Sequence, residues 1–431
     1  MEYQDISITL DPNRLGHPAT LADFESVKKY RGLKFGVERS AHIFLMDFEG
    51  DWQENHEGEW KDPRIIPYQE AISDLACYEK NFEKGFLIPP RFSAGSKVLH
   101  YGYGIFEGAK TFRHDDGELN TFRLEKNANR SNKSARMLCM PTVYEEDYLL
   151  AAETLIDIDR NYFPQGVEGA SLYTRSFLFA NQDQLGVRPG NKFTFAIFLS
   201  PSGPYYESGF NPIDLLVQKH FFRAGPGGVG GAKAAGNYAG AARAGELALL
   251  LGASQCLFLD ATNQNYIEEV GTSGFAMLER GELILPRISD TILNSITMQS
   301  VEELVQLEPF NLKVKREDIN IDRLWEGIKK GGNITDVFGL GTAAVVSPVS
   351  ALRWLRSDKI DKGILRKVEK GEAYVHDLVK GRNIDDLVDI RKIQDGKVGE
   401  FTAKLFEHYT GIQTGRVEDK LGYLKQVPRR F

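Results

Sequence analysis

A single lysine, Lys233, lies in a stretch of the sequence made almost entirely of small residues. Residues 225–238 read Gly-Pro-Gly-Gly-Val-Gly-Gly-Ala-Lys-Ala-Ala-Gly-Asn-Tyr. Because few side chains stand in the way, the backbone there could approach a planar ligand closely. A lysine in such surroundings either serves as the amine of a Schiff base, which requires a depressed pKa, or is a flexible structural residue. Composition alone leaves both readings open.

Two nucleotide-binding patterns explain the stretch less well. The phosphate-binding loop of NTPases needs glycine directly before its lysine and Ser or Thr directly after it, whereas Lys233 is flanked by Ala232 and Ala234. The Gly-Leu-Gly-Thr run at residues 339–342 comes late in the chain and meets Pro348 where a dinucleotide-binding fold would have a helix. The sequence therefore disfavours a nucleotide-binding protein.

Several motifs that follow one another along the chain make the Schiff-base reading specific. They are His-Tyr-Gly-Tyr-Gly-Ile-Phe-Glu-Gly-Ala-Lys at residues 100–110, Phe-Arg-Leu-Glu-Lys-Asn-Ala-Asn-Arg at 122–130, Leu-Tyr-Thr-Arg-Ser at 172–176, Ile-Glu-Glu-Val-Gly-Thr at 267–272 and Gly-Leu-Gly-Thr-Ala-Ala at 339–344. With the Lys233 stretch, they resemble the branched-chain amino acid aminotransferases, class IV enzymes of fold type IV that use pyridoxal 5′-phosphate (PLP). The resemblance runs from about Arg64 through Val349 and returns at residues 409–420.

The resemblance implies a set of cofactor contacts. Lys233 corresponds to the Schiff-base lysine, and Tyr238 to the phenol beside the cofactor ring oxygen. Glu269 corresponds to the acid that pairs with the pyridine nitrogen, with Glu268 expected to be its solvated neighbour. Arg130 corresponds to the phosphate arginine, since burial of a near-dianion requires a cation and several donors. The remaining implied cofactor positions are Leu293, Ile296, Thr297 and Thr342. A helix predicted to begin among them would direct its N-terminal amides at the anion.

The resemblance also implies a substrate pocket. Tyr101 and Phe106 would wall it, although aromatic residues in a strand more often pack a core. Tyr173 and Arg175 are two residues apart and so share one face of a strand. In the family this pair lines the pocket and helps to accept an acidic co-substrate, because one pocket takes both aliphatic side chains and that of glutamate. The other implied substrate positions are Gly108, Lys110, Thr272, Ala343 and Ala344.

The pattern of elements predicts an α/β chain of the mixed α+β kind. Short runs at residues 41–47, 172–180 and 193–199 predict strands, and longer amphipathic runs at 124–137 and 145–161 predict helices. A punctuated stretch marks a domain boundary. The predicted domains are a small N-terminal α/β domain at 1–201, an interdomain loop at 202–212 and a larger C-terminal PLP-binding domain at 213–431. The resemblance adds a barrel-like β core in the C-terminal domain and an active site between the two domains.

The second half of the chain predicts a strand, a helix and further strands. The strand is expected at residues 215–224, the helix at 238–251, and the further strands near Leu257 and Phe275. A charged segment at residues 356–395 has the spacing of solvated surface helices and is longer than the corresponding link in the family.

Composition excludes several classes of protein. The chain has 431 residues, 42% apolar and 26% charged, with a net charge of −7 and no long run of one sign. Wholesale disorder, a membrane-embedded body and nonspecific nucleic-acid binding are therefore not expected. Its three cysteines are far apart, which argues against a disulfide framework or a metal site. Early acidic residues and the lack of a visible targeting signal favour a cytoplasmic protein.

The sequence as a whole predicts an aminotransferase that acts on branched-chain L-amino acids and 2-oxoglutarate. The family is homodimeric, and a loop near residues 205–210 would cover a neighbouring active site. An enzyme of the same fold with another hydrophobic substrate, a D-amino acid aminotransferase or an aminodeoxychorismate lyase-like enzyme are the alternatives. Ala-Val-Val-Ser at residues 344–347 replaces the Cys-x-x-Cys of some members, so thiol regulation of that kind is not expected. A noncatalytic binding protein would be expected to have lost Lys233 or Arg130.

Overall fold

The computed structural model describes residues 8, 35–36, 38–68, 93–167, 169–203 and 210–431. The chain divides into two compact units. The first consists of Met1–Glu207, Ala232–Ala235 and Ile412–Phe431, and the second of Ser208–Gly231 and Gly236–Gly411. The short segment that carries Lys233 thus belongs to the first unit, although the residues on either side of it belong to the second. Residues 204–209, in the loop predicted to cover a neighbouring active site, lie outside the described residues.

The described residues contain strands and helices in a mixed order. The strands are β1 His42–Asp51, β2 Glu57–Pro67, β3 Gly104–Phe106, β4 Ala109–Arg113, β5 Leu119–Phe122, β6 Ser171–Ala180, β7 Lys192–Ser202, β8 Ile213–Val217, β9 Gln255–Leu259, β10 Ile267–Val270, β11 Ser273–Glu279, β12 Glu282–Pro286, β13 Val314–Glu317, β14 Ile334–Gly341, β15 Val345–Leu355, β16 Val388–Lys392 and β17 Leu424–Gln426. The helices are α1 Trp52–Asn55, α2 Lys97–Tyr101, α3 Leu124–Met137, α4 Glu145–Ile158, α5 Ala235–Gly240, α6 Ala242–Leu250, α7 Ile296–Leu304, α8 Ile321–Gly327, α9 Lys362–Glu369 and α10 Glu400–Gln413. No helix in these parts of the chain is long and apolar enough to cross a membrane.

An antiparallel sheet forms the centre of the first unit. Its strands follow the order β17-β5-β4-β6-β7-β1-β2, and β3 pairs with β6. The amphipathic helix α4 packs on β1 and β7, and helix α3 packs beside α4. Phe44, Phe193 and Leu155 are fully buried in the resulting core. The strands and helices predicted for this part of the chain are therefore confirmed.

A β-barrel forms the centre of the second unit. In its described part, six strands close into a ring in the order β10-β9-β8-β15-β14-β11, and β11 pairs back with β10. Strand β8 runs parallel to both β9 and β15. Phe258, Phe275 and Phe338 are buried among these strands with at most 2% of their surface exposed. This ring confirms the predicted barrel-like β core.

Two element predictions in the second unit were partly wrong. The strand expected at residues 215–224 ends at Val217. The Gln218 side chain then accepts hydrogen bonds from the N–H groups of His220 and Phe221 at 2.6 and 2.8 Å. These bonds bend the chain directly after the strand. The helix expected at residues 238–251 is two helices, α5 and α6, separated at Ala241 next to Gly240, a residue of low helix propensity.

The charged segment at residues 356–395 contributes to the core of the second unit. Strand β16 pairs antiparallel with β15 and so extends the sheet. Val368, Leu378 and Leu387 are buried in one cluster with Leu247. The expectation of solvated helices was therefore wrong in part, because these apolar residues face inward while the charged residues between them remain outside.

Candidate active site

The backbone of Lys233 is held from two sides within the first unit. Ala234 forms an antiparallel bridge with Ile105, and the N–H of Phe106 donates to the Lys233 carbonyl at 3.1 Å. The N–H of Lys233 in turn donates to Ser134 Oγ at 3.0 Å. Strand β3 and helix α3 therefore fix the position of this lysine together.

The Lys233 amine lies over the ring of Phe106. Its Nζ is 4.4 Å from the ring centroid, and the guanidinium carbon of Arg175 is 4.7 Å from the same centroid. A cation is attracted to the face of an aromatic ring. Arg175 Nη2 also donates to the Tyr173 hydroxyl at 2.9 Å. The structure thus brings together four residues from three separate motifs of the sequence.

Gly108 leaves the space that the Tyr173 hydroxyl occupies. A Cβ atom at position 108 would lie 1.9 Å from the hydroxyl oxygen and 2.6 Å from Cζ of Tyr173. No side chain fits there without displacing the tyrosine. Lys110 is paired with Tyr173 in the register of β4 and β6, and burial lowers the pKa of its amine to about 8. Both residues thus lie beside Tyr173.

Arg130 is held by Glu107, to which the sequence analysis gave no role. Nε of Arg130 donates to Oε1 of Glu107 at 2.7 Å, and Nη2 donates to Oε2 at 2.9 Å. Burial would raise the pKa of the Glu107 carboxyl, but the charge and hydrogen bonds of Arg130, together with the charge of Lys233, outweigh burial and hold that pKa below its ordinary value. The sequence signal that could have revealed this role was that Glu107, a charged residue, directly follows Phe106 in an apolar motif.

Arg175 carries a buried donor that lacks an acceptor within the described part of the chain. This donor is its Nε atom. The residues described above provide four cationic side chains, those of Lys110, Arg130, Arg175 and Lys233, and one carboxylate. Cationic side chains form charge-assisted hydrogen bonds with anions, so this set of donors fits anionic ligand groups such as a phosphate or a carboxylate.

Tyr101 ends helix α2 rather than lying on a strand. Its hydroxyl accepts the N–H of Gly186 at 2.9 Å, and 37% of its surface is exposed. The motif at residues 100–110 therefore contains the end of a helix, β3 and the beginning of β4, and not one continuous strand. The hydrogen bond to Gly186 ties Tyr101 to the loop after β6.

Glu269 is buried on β10 in the second unit, where a backbone N–H and a guanidinium lie against its carboxylate. The N–H of Leu293 donates to its Oε1 at 2.7 Å, and Nη2 of Arg223 lies 3.1 Å from the same oxygen. Only 5% of the surface of Glu269 is exposed. Arg223, which the sequence analysis did not single out, therefore places a positive charge beside this carboxyl and helps to orient it. Its position two residues before the glycine-rich stretch was the sequence signal available.

The prediction that Glu268 is a solvated neighbour was wrong. Its exposure is also 5%. Oε1 of Glu268 accepts a hydrogen bond from the Thr291 hydroxyl at 2.5 Å, and burial raises the pKa of the carboxyl. All four residues of β10 are buried, so alternation along this strand of the barrel does not expose either glutamate.

Helix α7 begins where the sequence predicted an anion-binding helix terminus. The Ser295 hydroxyl caps it by accepting the N–H of Met298 at 3.3 Å. Ile296 and Thr297 follow directly and are 5% and 4% exposed. Leu293 precedes the helix, and its N–H is already used by Glu269. Tyr238 lies on α5 and is half-buried.

Thr272 and residues 342–344 lie in two turns at the same end of the barrel. Thr272 is in the turn from β10 to β11, and residues 342–344 join β14 to β15. Gly274 pairs with Leu340 in the antiparallel register of β11 and β14, which puts the start of one strand beside the end of the other. Glu269 pairs with the same Gly274. The structure therefore gathers Thr272, Thr342, Ala343 and Ala344 at one end of the barrel, close to the strand position of Glu269.

A family model described as amino-transferase class IV matches residues 104–352. The chain belongs to the class IV aminotransferases. This class IV aminotransferase is 36% identical to branched-chain-amino-acid aminotransferase 2 of Bacillus subtilis (strain 168), and the similarity covers 92% of each chain. It is 32% identical to the branched-chain-amino-acid aminotransferase of Mycolicibacterium smegmatis, over 95% of this chain and 96% of that protein.

Solved structures of branched-chain aminotransferases share the fold of this class IV aminotransferase. The Escherichia coli enzyme gives a TM-score of 0.61 at 21% identity and covers 90% of this chain and 99% of that chain. The Thermobaculum terrenum enzyme, solved in its PLP form, gives a TM-score of 0.61 at 19% identity and covers 91% of this chain and 99% of that chain. The expected fold class, fold type IV with an α/β chain, is confirmed.

Proposed function

We propose that this class IV aminotransferase transfers the amino group of L-leucine, L-isoleucine or L-valine to 2-oxoglutarate with pyridoxal 5′-phosphate as cofactor. The products would be the branched-chain 2-oxo acid and L-glutamate. The observation that carries the proposal is the cluster of Lys233, Phe106, Tyr173 and Arg175 in the first unit. The names of the relatives from Bacillus subtilis and Mycolicibacterium smegmatis support the substrate class.

The first unit provides a reactive amine and a phosphate cation. When bound, pyridoxal phosphate supplies an aldehyde that bonds to an amine, and a ring that takes up the electron pair of a broken C–H bond. Lys233 is the proposed point of attachment, and Arg130, held in the plane of the Glu107 carboxylate, is the proposed phosphate ligand. The cationic excess of this cluster fits such an anionic ligand.

Lys233 is also the proposed base. With the cofactor bound, the free Lys233 amine would accept the proton from the substrate Cα and would donate it to the neighbouring cofactor carbon. The two backbone hydrogen bonds of Lys233, to Phe106 and to Ser134, hold its Cα while the side chain moves. One residue thereby serves as anchor and as proton carrier without rearrangement of the backbone.

The second unit provides the proposed contacts to the cofactor ring and to the substrate carboxylate. Glu269, held by Arg223 and the N–H of Leu293, would pair with the ring nitrogen. The amides at Ile296 and Thr297 and the hydroxyl of Thr342 would bind the phosphate, and the Tyr238 phenol the ring oxygen. Thr272 and the backbone of residues 343–344 would hold the α-carboxylate of the substrate.

The pair of Tyr173 and Arg175 supports the use of two unlike substrates. The rings of Phe106 and Tyr173 present an apolar surface for a branched side chain. Arg175 has a buried Nε that no described group accepts, so it can bind the side-chain carboxylate of glutamate or 2-oxoglutarate. An aliphatic and an acidic side chain could therefore bind in turn at one place, as the reaction requires.

The experiment that tests the function is an assay of amino-group transfer. Purified protein is incubated with PLP, 2-oxoglutarate and one amino acid, and L-glutamate formation is measured. We expect activity with L-leucine, L-isoleucine or L-valine and none with D-alanine. Loss of all three activities, with D-alanine or another amino acid as the substrate, would contradict the proposed substrate class.

A homodimer is the proposed assembly, on the basis of the resemblance to a homodimeric family. Light scattering of the purified protein should give about twice the chain mass of 48.4 kDa. A cytoplasmic location stays a prediction of the sequence.

A further inference from the structure

Glu107, the carboxylate beside Arg130 near Lys233, is almost completely buried. Its exposure is 1%. Besides the two hydrogen bonds from Arg130, Oε2 accepts one from Asn127 Nδ2 at 2.8 Å and one from the N–H of Gly108 at 3.2 Å. A buried carboxylate that accepts several hydrogen bonds remains ionised, so Glu107 is a fixed negative charge at this place.

One face of helix α3 carries three side chains that connect Glu107 to the backbone of Lys233. Asn127, Arg130 and Ser134 are three and four residues apart, which puts them on the same side of a helix. Asn127 also donates to the carbonyl of Gly108 at 3.0 Å, and Ser134 accepts the N–H of Lys233. Helix α3 therefore fixes the guanidinium, the carboxylate and the lysine backbone relative to one another.

We propose that Glu107 is a positioning residue that orients Arg130 for the phosphate of the cofactor. The proposal rests on the proposed function, because it concerns the same cofactor. Two parallel hydrogen bonds fix the plane of the guanidinium, which a single contact or a lysine could not do. Glu107 acts through Arg130 and touches neither substrate nor cofactor.

The charge of Glu107 also explains how Arg130 tolerates burial. Only 8% of the surface of Arg130 is exposed, and a buried guanidinium without a counter-charge is strongly destabilising. With Glu107 in place the arginine is held in one orientation before any ligand arrives. Preorganised donors lose less conformational entropy on binding and therefore bind more tightly.

The test compares PLP with pyridoxal, which lacks the phosphate. The dissociation constants of both are measured by equilibrium dialysis on cofactor-free wild type and on Glu107→Gln. We expect the substitution to weaken PLP binding about tenfold or more, since it removes one partner of a buried charge pair, and to leave pyridoxal binding unchanged. Equal weakening of both ligands, or no change for either, would overturn the proposal.

A double-mutant cycle separates an effect through Arg130 from general damage. In an Arg130→Gln background, Glu107→Gln should change PLP binding less than about threefold, because contacting residues are not additive. A full additive effect there would overturn the proposal. Glu118→Gln is the control, since Nε and Nη2 of Arg429 both donate to Oε1 of Glu118 at the surface, at 3.0 and 2.6 Å, and this variant should bind PLP as the wild type does.

The thermal unfolding of each cofactor-free variant reports whether it is folded. If Glu107→Gln is not recovered folded, Asn127→Ala replaces it in the same comparison, because it removes one hydrogen bond to Glu107 and leaves the Arg130 pair intact. It should weaken PLP binding and not pyridoxal binding, and the reverse would count against the proposal. A wild type that binds no PLP would instead contradict the proposed function, so the two failures are distinguishable.

Discussion

The backbone N–H of Lys233 donates to the hydroxyl of Ser134 at 3.0 Å, although the two residues are 99 positions apart in the chain. Ser134 lies one helical turn after Arg130 on α3. The proposed attachment point and the proposed phosphate ligand are thus fixed by one rigid element. Their separation is set by helix geometry and not by the glycine-rich stretch before Lys233.

Removal of the Ser134 hydroxyl should therefore lower the stability of the first unit. Ser134→Ala leaves the Lys233 N–H without this acceptor, which we expect to lower the free energy of unfolding by about 1–3 kcal/mol. Urea unfolding of the cofactor-free protein measures the change. Ser131→Ala, a similarly buried serine on the same helix, is the control, and an equal loss in both variants would argue against a special role of Ser134.

Replacement of the reactive amine should abolish the cofactor colour. Lys233→Ala removes the only nitrogen to which we assign the bond with the PLP aldehyde, so the visible absorbance of the bound cofactor should disappear while the protein still folds. Lys192→Ala, which removes a surface lysine paired with Glu49 at 2.8 Å, should keep the wild-type spectrum. An unchanged visible band in Lys233→Ala would exclude that lysine.

A methyl group at position 108 should displace Tyr173. Gly108→Ala would bring Cβ to 1.9 Å from the hydroxyl oxygen, and overpacking of this kind costs about 1–3 kcal/mol. We expect lower stability and a higher KM for the amino acid substrate. Tyr173→Phe in the same background removes the closest atom and should restore part of the stability, and no recovery at all would show that another contact is responsible.

The two adjacent glutamates of β10 should differ in their effect on catalysis. Glu269→Gln should retain bound PLP but slow transamination by about 10²-fold or more, the loss typical of an electrostatic contact to the reacting system. Glu268→Gln should have a much smaller effect on turnover, because we assign the ring nitrogen to Glu269 alone. Steady-state kinetics of both variants test this. Equal losses of turnover would contradict the assignment of the ring nitrogen to Glu269 alone.

Glu268 should instead affect the pH dependence of stability. Burial raises the pKa of its carboxyl above the ordinary value of 4.5. Between pH 4.5 and the raised pKa of the folded state, the folded protein holds a proton that the unfolded chain has released. The free energy of unfolding therefore falls as the pH rises through this range. Glu268→Gln should remove that fall in urea unfolding between pH 4 and pH 8. Glu372→Gln, at an exposed position, should not change the pH profile.

The local parts of the site follow from the sequence. Helix α3, strand β6 with Tyr173 and Arg175 on one face, and the helix start at Ile296 each depend on a periodicity or a cap within about ten residues. The order of the motifs along the chain also indicated the family to which the protein belongs. These features need no knowledge of which distant segments meet.

The pairings that orient the site could not be predicted in this way. Glu107 and Arg130 are 23 residues apart and meet only because β3 packs on α3. Arg223 reaches Glu269 through the turn that follows β8. The burial of Glu268 requires the closed ring of strands, which alternation along one strand does not reveal. Each of these depends on the tertiary fold.

Strand β17 completes one edge of the sheet to which β3, β4 and β6 belong, since it pairs with β5, and Val427 directly after it is buried in the core of the first unit. During synthesis the first unit therefore cannot reach its final form until Lys233 and then the C-terminal strand have left the ribosome. The second unit is made within that interval. We expect the enzyme to acquire its cofactor only after β17 has been synthesised and has paired with β5, and truncation before Leu424 to leave an open sheet edge exposed to aggregation.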